Sequence, residues 1–495
     1  MRLAAVLSLC LSAPVLAQSP ATLPADYAAA RGAPFGEAAS HVWDVSVDAS
    51  DAETLEKTMV VVSLGADWAR WRAAGEPAQL VDLAAGRYLT IQSGETQDAP
   101  ETLINSSLYA EARRRIDIYA GLSEGGAREA IAFGPGQTFH RIWLEAAMGV
   151  AAQDGVLEIA QDGDQLTASH DGEMIAQAWF ALGDDSPCES EPAAAREPML
   201  AMLRHAAPLH PELISAFRQL GMAPCALAFT VVSPESPNGR TERWTLRPGD
   251  AAGAPIPAGA AMVLPRADLI GPAGSAAAEA MRAGEPAPDA AAFYETVLAL
   301  RAEGDLAGAF LTTVQETHHF GPCPDQAVGS ARLACAEVNA LTRAGLGDAA
   351  FERALEGVTA VREGDHATAV GRLSIFLDRQ DRAGAAARIL VANELIAWGR
   401  EGLESRPDLD PAALLSEALI LDPYAPDTYW HLGRRYLEAG APHAAWVFFD
   451  LGRTIPGRDP TPLLDQAGEL EARIAALAPD LAPAPGGESG EAPVD

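Results

Sequence analysis

The chain has 495 residues, with 68 acidic against 35 basic side chains and a formal net charge of −33. A surface of that sign repels nucleic-acid phosphates and anionic lipid headgroups, which argues against both as partners and leaves basic partners or cations open. Beyond the N-terminus no stretch approaches the ~20 apolar residues that a membrane-crossing helix needs, so no transmembrane segment is expected.

The first residues are Met1 and Arg2, followed by an apolar run from Leu3 to Leu16 that ends Val15-Leu16-Ala17 before Gln18. One cation, a run too short to span a bilayer and small residues at the break make a secretory signal peptide over 1–17, cut after Ala17. The protein is therefore expected in the periplasm or outside the cell. Cys10 follows Leu9, where a lipoprotein cleavage site needs a small residue, so no lipid anchor is expected. Four cysteines remain: Cys188, Cys225, Cys323 and Cys335. An even number in an exported chain favours disulfides; three pairings are open, and Cys188–Cys225 with Cys323–Cys335 is preferred because each region holds two.

Residues 18–40 are rich in alanine, proline and glycine and read as a loose lead-in. From 41 to 246 the pattern is that of an α+β domain. His41-Val-Trp-Asp-Val-Ser-Val-Asp48, Thr58-Met-Val-Val-Val-Ser-Leu64 and Arg87-Tyr-Leu-Thr-Ile-Gln92 read as strands. A helix is expected over 101–119. Strands return at 155–160, 165–169 and 174–181, separated by Asp162-Gly163 and Asp171-Gly172, pairs suited to hairpin turns. A helical stretch over 196–220 precedes a last hairpin, 228–233 with 241–246, turning around Pro237-Asn-Gly-Arg240. Residues 247–288 are dominated by Ala, Gly and Pro and read as a linker or extended strap. Residues 478–495 lack the composition to build a core and read as a disordered tail.

From 289 to 477 strand signals give way to paired helices. In the clearest unit, Asp427 to Gly452, Leu432, Gly433, Tyr436, Ala445 and Phe449 stand at the spacing of the tetratricopeptide family, which it resembles. Small residues at Gly433 and Ala445 let two helices approach while Tyr436 and Phe449 fill the space beside them. Gly399 lies 34 residues before Gly433, and Leu415, Ala418 and Pro423 hold the matching positions; Pro411, where the family prefers alanine, and Gly452 depart from the pattern. Gly357 and Ala369 start an earlier unit, in which Phe376 departs, and Glu303-Gly-Asp-Leu-Ala-Gly-Ala309 marks another. Three or four units closed by a helix at 461–477 are expected. The fold class is thus α+β: an N-terminal domain containing antiparallel sheet, then a C-terminal α-helical solenoid. The resemblance implies a concave groove lined by the first helix of each unit, here Asn393, Ile396 and Arg400, then Asp427, Trp430 and Arg434. An exposed aromatic beside arginines suits a peptide segment or a carboxylate; the alternative is that Trp430 packs on its neighbour.

The only metal-like set is His318, His319, Cys323 and Cys335. Adjacent histidines point apart and exported thiols oxidise, so a disulfide-closed insertion is preferred over zinc, and no metal or cofactor is expected. No nucleophile elbow, zinc-protease, P-loop or dinucleotide motif occurs. His140, His205 and His210 are candidate bases without an assignable partner, and no enzymatic activity is expected. The leading expectation is an interaction scaffold that holds a protein or peptide through its repeats. The alternative is an envelope carrier holding an apolar ligand in the N-terminal sheet, whose Thr241-Glu-Arg-Trp-Thr-Leu246 is faintly similar to lipoprotein-carrier domains.

Overall fold

A computed structural model describes residues 39–49, 56–83, 86–92, 102–124, 140–150, 156–182, 186–189, 193–233, 236–249, 261–263, 274, 290–320, 336, 340–405, 409–453, 455 and 462–482. The chain divides into two compact units, Met1–Leu269 with Ile474–Asp495, and Ile270–Arg473.

The first unit is built on one twelve-stranded sheet. Six strands, β1 (Ala39–Ala49), β2 (Glu56–Leu64), β3 (Trp68–Ala73), β4 (Ala78–Asp82), β5 (Arg87–Gln92) and β6 (Thr102–Ser107), form an antiparallel meander. A second meander runs through β7 (Glu158–Asp162), β8 (Gln165–His170), β9 (Glu173–Trp179), β10 (Ala226–Ser233) and β11 (Ser236–Pro248). The two join where β1 pairs antiparallel with β11, setting Trp43 opposite Leu246 and Val45 opposite Trp244. A short β12 (Ala261–Val263) adds the one parallel pairing, on β6.

Alternation explains which face is buried. On β2, Val60 and Val62 point inward while Met59 and Val61 are exposed; on β5, Arg87, Leu89 and Ile91 are buried. Trp43 and Phe229 pack on Trp244 with ring centroids 5.9 and 6.0 Å apart. The β8–β9 hairpin closes through Asp171 (φ 50°) and Gly172 (φ 79°), with His170 opposite Glu173. Two successive positive φ angles are what a type I′ turn demands, and an Asp-Gly pair supplies them. The β4–β5 hairpin carries a buried Asp82–Arg87 ion pair at 2.5 Å.

Four helices of this unit lie among the described residues: α1 (Leu108–Glu124), α2 (His140–Met148), α3 (Arg196–Ala206) and α4 (Pro211–Leu220). α3 lies against β3 and β4, and Phe217 of α4 meets Phe180 edge-on at 5.5 Å. Cys188 and Cys225 form a disulfide with Cα atoms 5.3 Å apart, tying the segment after β9 to the start of β10.

The second unit is helical: α5 (Ala290–Ala302), α6 (Leu306–Phe320), α7 (Ala349–Glu363), α8 (His366–Leu373), α9 (Arg382–Ser405), α10 (Pro411–Leu421), α11 (Pro426–Glu438) and α12 (Pro442–Arg453). The last helix, α13 (Pro462–Leu477), begins in this unit and ends in the first. Aspartates cap five of the described helices: Asp305, Asp348, Asp365, Asp381 and Asp410 accept from the N–H of Gly308, Phe351, Thr368, Gly384 and Ala413. The α7–α8, α9–α10 and α11–α12 pairs share one contact. A Cβ built on Gly357, Gly399 or Gly433 would come within 2.8, 3.0 and 2.3 Å of Leu373, Leu415 and Phe449 respectively. The bulky partner stands sixteen residues after the glycine each time.

Several expectations shift. Residues 102–107 are strand, with the helix starting only at Leu108, because Thr102–Ser107 finds partners on both sides, β5 and β12. Residues 65–86, given no element by the sequence reading, hold β3 and β4. In the last hairpin Ser233 stands opposite Ser236, so Pro237-Asn238-Gly239-Arg240 lies within β11, beyond a register shift after Val231. The strap contributes β12, and Ala478, Asp480, Leu481 and Ala482, which composition places in the tail, are buried.

Candidate functional sites

The helical face expected to bind a partner is only partly assembled. Arg400 and Arg434 are exposed, while Asn393, Ile396 and Asp427 are half-buried. Arg434 is held by Glu438 one turn on, Nε to Oε1 at 3.2 Å. The Oδ1 of Asp427 is buried and has no hydrogen-bond partner. Of the two readings of Trp430 the structure shows the packed one: it is 5% exposed and stacks on Phe449 with centroids 5.2 Å apart. Phe449 also fills the space left by Gly433 and receives the edge of Trp446 at 5.7 Å. Trp430 is therefore part of the hairpin's core, because a ring at that position covers Phe449.

The first unit holds a denser set of polar groups, built by helices around the sheet. On α1, Glu111 accepts from Arg114 at 2.7 Å and from Arg115 at 2.8 Å. Arg115 then reaches the Nδ1 of His205 on α3 at 3.5 Å. The His205 ring lies over Trp71 of β3 and Tyr88 of β5, at 6.2 and 5.0 Å between centroids. Its Nε2 is buried without a partner. Burial, reinforced by the charge of Arg115, holds the His205 imidazole well below its ordinary pKa. Burial likewise raises the Tyr88 phenol, with Glu111 adding to the effect.

The neighbouring Arg204 is almost wholly buried. Its Nη1 donates to the carbonyls of Ala146 and Leu209 at 3.1 and 2.7 Å. Gly149 makes room for it, since a Cβ there would fall 1.7 Å from Nη2. Burial, then the charge of Arg115, push the guanidinium down to about 9.

A second network joins a histidine, a carboxylate and a phenol. The backbone N–H of Glu212 donates to His210 Nδ1 at 3.3 Å, which leaves the proton on Nε2. That Nε2 donates to Glu145 Oε2 at 2.9 Å, and the Tyr119 hydroxyl donates to Glu145 Oε1 at 3.0 Å. Glu145 is 0% exposed. His210 caps α4, and Glu212 in turn accepts from the N–H of Val156 and Leu157, both at 2.9 Å. With its imidazole and carboxylate engaged in one another, this chain holds α1, α2 and α4 together.

Of the three candidate bases, His210 thus has a carboxylate partner, His205 sits beside two arginines, and the side chain of His140 lies outside the described residues. The side chains of His318 and His319 lie outside them too, as do Cys323 and Cys335, so the second disulfide falls beyond view. Among the described residues no group of three His, Cys, Asp or Glu side chains is placed to hold a metal. Nor is any helix there long and apolar enough to cross a membrane.

Sequence reasoning missed Glu145, Tyr119 and Arg204. The first two meet His210 and each other across long stretches of chain and carry no local signal. Arg204 does: it closes the apolar run Met199-Leu-Ala-Met-Leu203, where a cation on a buried helix face calls for an explanation. No protein-family model matches the chain, and no curated protein is similar to it.

Proposed function

We propose that this protein is an exported interaction scaffold in which tetratricopeptide-like hairpins hold a protein or peptide partner. The observation that carries this reading is the recurrence of a glycine facing a bulky residue sixteen positions later: Gly357 with Leu373, Gly399 with Leu415, Gly433 with Phe449. An irregular helical domain has no reason to repeat an offset; a stack of like units does. Repeats of this kind present their first helices side by side, and Arg400 and Arg434 supply cations on that face, suited to carboxylates of a partner. Asn393 and Asp427 flank them, with Trp430 as support beneath. The Cys188–Cys225 disulfide is compatible with export into an oxidising compartment.

The test uses the full exported chain to retain partners from an envelope extract, wild type beside an Arg400→Glu, Arg434→Glu double variant. The reading expects a defined partner whose retention falls at least about tenfold in the double variant, the effect of losing a charge-assisted contact at each site. Equal retention by both proteins removes this face from consideration.

A second reading places the function in the sheet. It draws on one observation: two meanders share a single twelve-stranded sheet, a surface broad enough to curve around an apolar ligand. Native mass spectrometry of the protein purified from the envelope separates the readings, because a carrier retains extra mass that is removed by organic extraction. A clean apo mass counts against it.

A further inference from the structure

A sheet that does not close leaves a row of unmet backbone donors and acceptors at each end. One end here is β12, three residues long. The other is β7, whose five residues Glu158-Ile-Ala-Gln-Asp162 are all exposed and whose single neighbour among the described strands is β8. The two-residue turn Gly163-Asp164 makes Asp162 and Gln165 a hydrogen-bonded pair, so Glu158, Ala160 and Asp162 bond to β8. The N–H and C=O groups of Ile159 and Gln161 therefore point away from the sheet. Their side chains continue its buried layer. Ile159 lies in a row with Ala168, Ala176 and Phe229, and Gln161 in a row with Leu166, Ala178 and Leu227. All six partners on β8, β9 and β10 are buried, yet Ile159 is 38% exposed. The apolar layer thus runs out to the edge and stops at a side chain that one more strand would cover. On the other face of β7 stand Glu158 and Asp162, four residues and about 14 Å apart, with no ion pair among the described residues.

We propose that β7 is a docking edge that takes an extended, basic segment of a partner protein as an added strand. The backbone groups of Ile159 and Gln161 supply the ladder bonds, and the side chains choose the partner. Antiparallel pairing sets one cation opposite Asp162, another opposite Glu158, and an apolar residue opposite Ile159. Read from its N-terminus, the fitting segment is cation, two unrestricted residues, apolar, cation. Charge selects against a second copy of this chain, which brings the same Glu158 and Asp162 and its own net −33. Edges that refuse strands are blunted by proline, lysine or an inward-pointing charge. β7 has no proline or lysine, and its two charges lie on the outward face. The edge belongs to the sheet unit and does not rest on the reading of the helical hairpins.

The experiment titrates the full exported chain into a fluorescein-labelled peptide, Thr-Lys-Thr-Thr-Val-Lys-Thr with blocked ends, and follows anisotropy. A second peptide carries glutamate in place of both lysines. The lysine peptide is expected to bind one-to-one and more weakly as salt rises, and the glutamate peptide to bind at least about tenfold less tightly. Glu158→Lys with Asp162→Lys is expected to reverse that preference. Gln161→Pro removes an outward N–H while leaving the bonds to β8 whole, and is expected to weaken the lysine peptide at least about tenfold. All three positions are exposed, and an unchanged thermal midpoint verifies that each variant folds; if Gln161→Pro does not, the charge reversal decides. No binding of the lysine peptide at about 1 mM protein, equal binding of the two peptides, or affinity unchanged in a folded variant overturns the proposal. A dimer in sedimentation that Gln161→Pro dissolves assigns the edge to a second copy and overturns it as well.

Discussion

The two units solve the same problem of burying backbone and polar groups by different means, and the contrast governs how each responds to change. In the helical unit many buried polar groups find partners within a turn of the chain, though the buried Glu394 and Glu471 reach His366, and Trp446 with Arg453, on other helices. Thr312 and Thr313 donate to the carbonyls of Gly308 and Ala309 one turn back, and the aspartate caps serve the helix they begin. The connection between α8 and α9 is fixed in a similar way, Arg388 donating to the carbonyls of Leu377 and Arg379. What the helical unit cannot do locally is pack, and there it relies on glycine. In the sheet unit packing follows from strand alternation. Some buried polar groups there pair locally, as Asp82 does with Arg87, while Glu145, His210 and Tyr119 meet across long stretches of chain.

The contrast predicts that steric change is worst in the helical unit. Gly433→Val places a branched side chain where even a Cβ would meet the Phe449 ring at 2.3 Å, and that ring is locked by Trp430 and Trp446. A loss of about 3 kcal/mol or more in urea unfolding is expected, the upper range for overpacking. Pairing it with Phe449→Leu should recover part of that loss, since the clash lies with this one ring. A double variant as unstable as the sum of the two singles would show that the glycine serves backbone freedom instead.

In the sheet unit the most damaging change is polar. Glu145→Ala removes an acceptor shared by two buried donors, His210 Nε2 and the Tyr119 hydroxyl. The expected cost is about 3 kcal/mol, from two donors at ~1–3 kcal/mol each offset by partial hydration of the space left. Glu145→Gln retains one acceptor and should cost less. If Gln proves as damaging as Ala, the carboxylate charge matters more than the hydrogen bonds. Thermal unfolding of the three proteins distinguishes these outcomes.

The same division explains what could be read in advance. Strand alternation marked β1, β2, β5, β8 and β9, and the spacing around Gly433 marked a hairpin, because both are patterns of neighbours along the chain. β6 was mistaken for helix because Thr102–Ser107 has little pattern of its own and becomes strand only by lying between β5 and β12. β12 itself sits in an Ala/Gly/Pro-rich stretch, where composition hides a pairing of three residues. Trp430 could be placed on the groove face with Arg434 from the repeat resemblance, which says nothing of the Phe449 ring that lies across from it. For the polar cluster, His205 and Arg204 were visible as residues, and the aromatic rings and arginine that define their environment were not.

The smallest predicted effect is a difference in how the units respond to acid. His205, in the sheet unit, is surrounded by Arg115 and Glu111 from α1, Arg204 from its own helix, and Trp71 and Tyr88 from the sheet. Its folded-state pKa is depressed from 6.5. The unfolded chain therefore binds a proton that the folded one refuses, so stability falls as pH drops below about 6.5, by up to about 1.4 kcal/mol per pH unit until the folded-state pKa is reached. His41 on β1 is also held low by burial and adds to the slope in the same window. In the helical unit, Asp381 is depressed from 3.8 by its bond to Arg379. Its contribution is intact above that value and is lost only as pH falls below it. Between pH 6.5 and 5 the loss of stability should thus come from the sheet unit, because Glu417 of the helical unit, raised by burial, instead gains stability as pH falls. His205→Phe should flatten most of it and His205→Phe with His41→Gln nearly all, as followed by the thermal midpoint across that range. A slope that survives the double variant would place the responsible proton elsewhere and weaken the assignment of His205 as a neutral, buried donor.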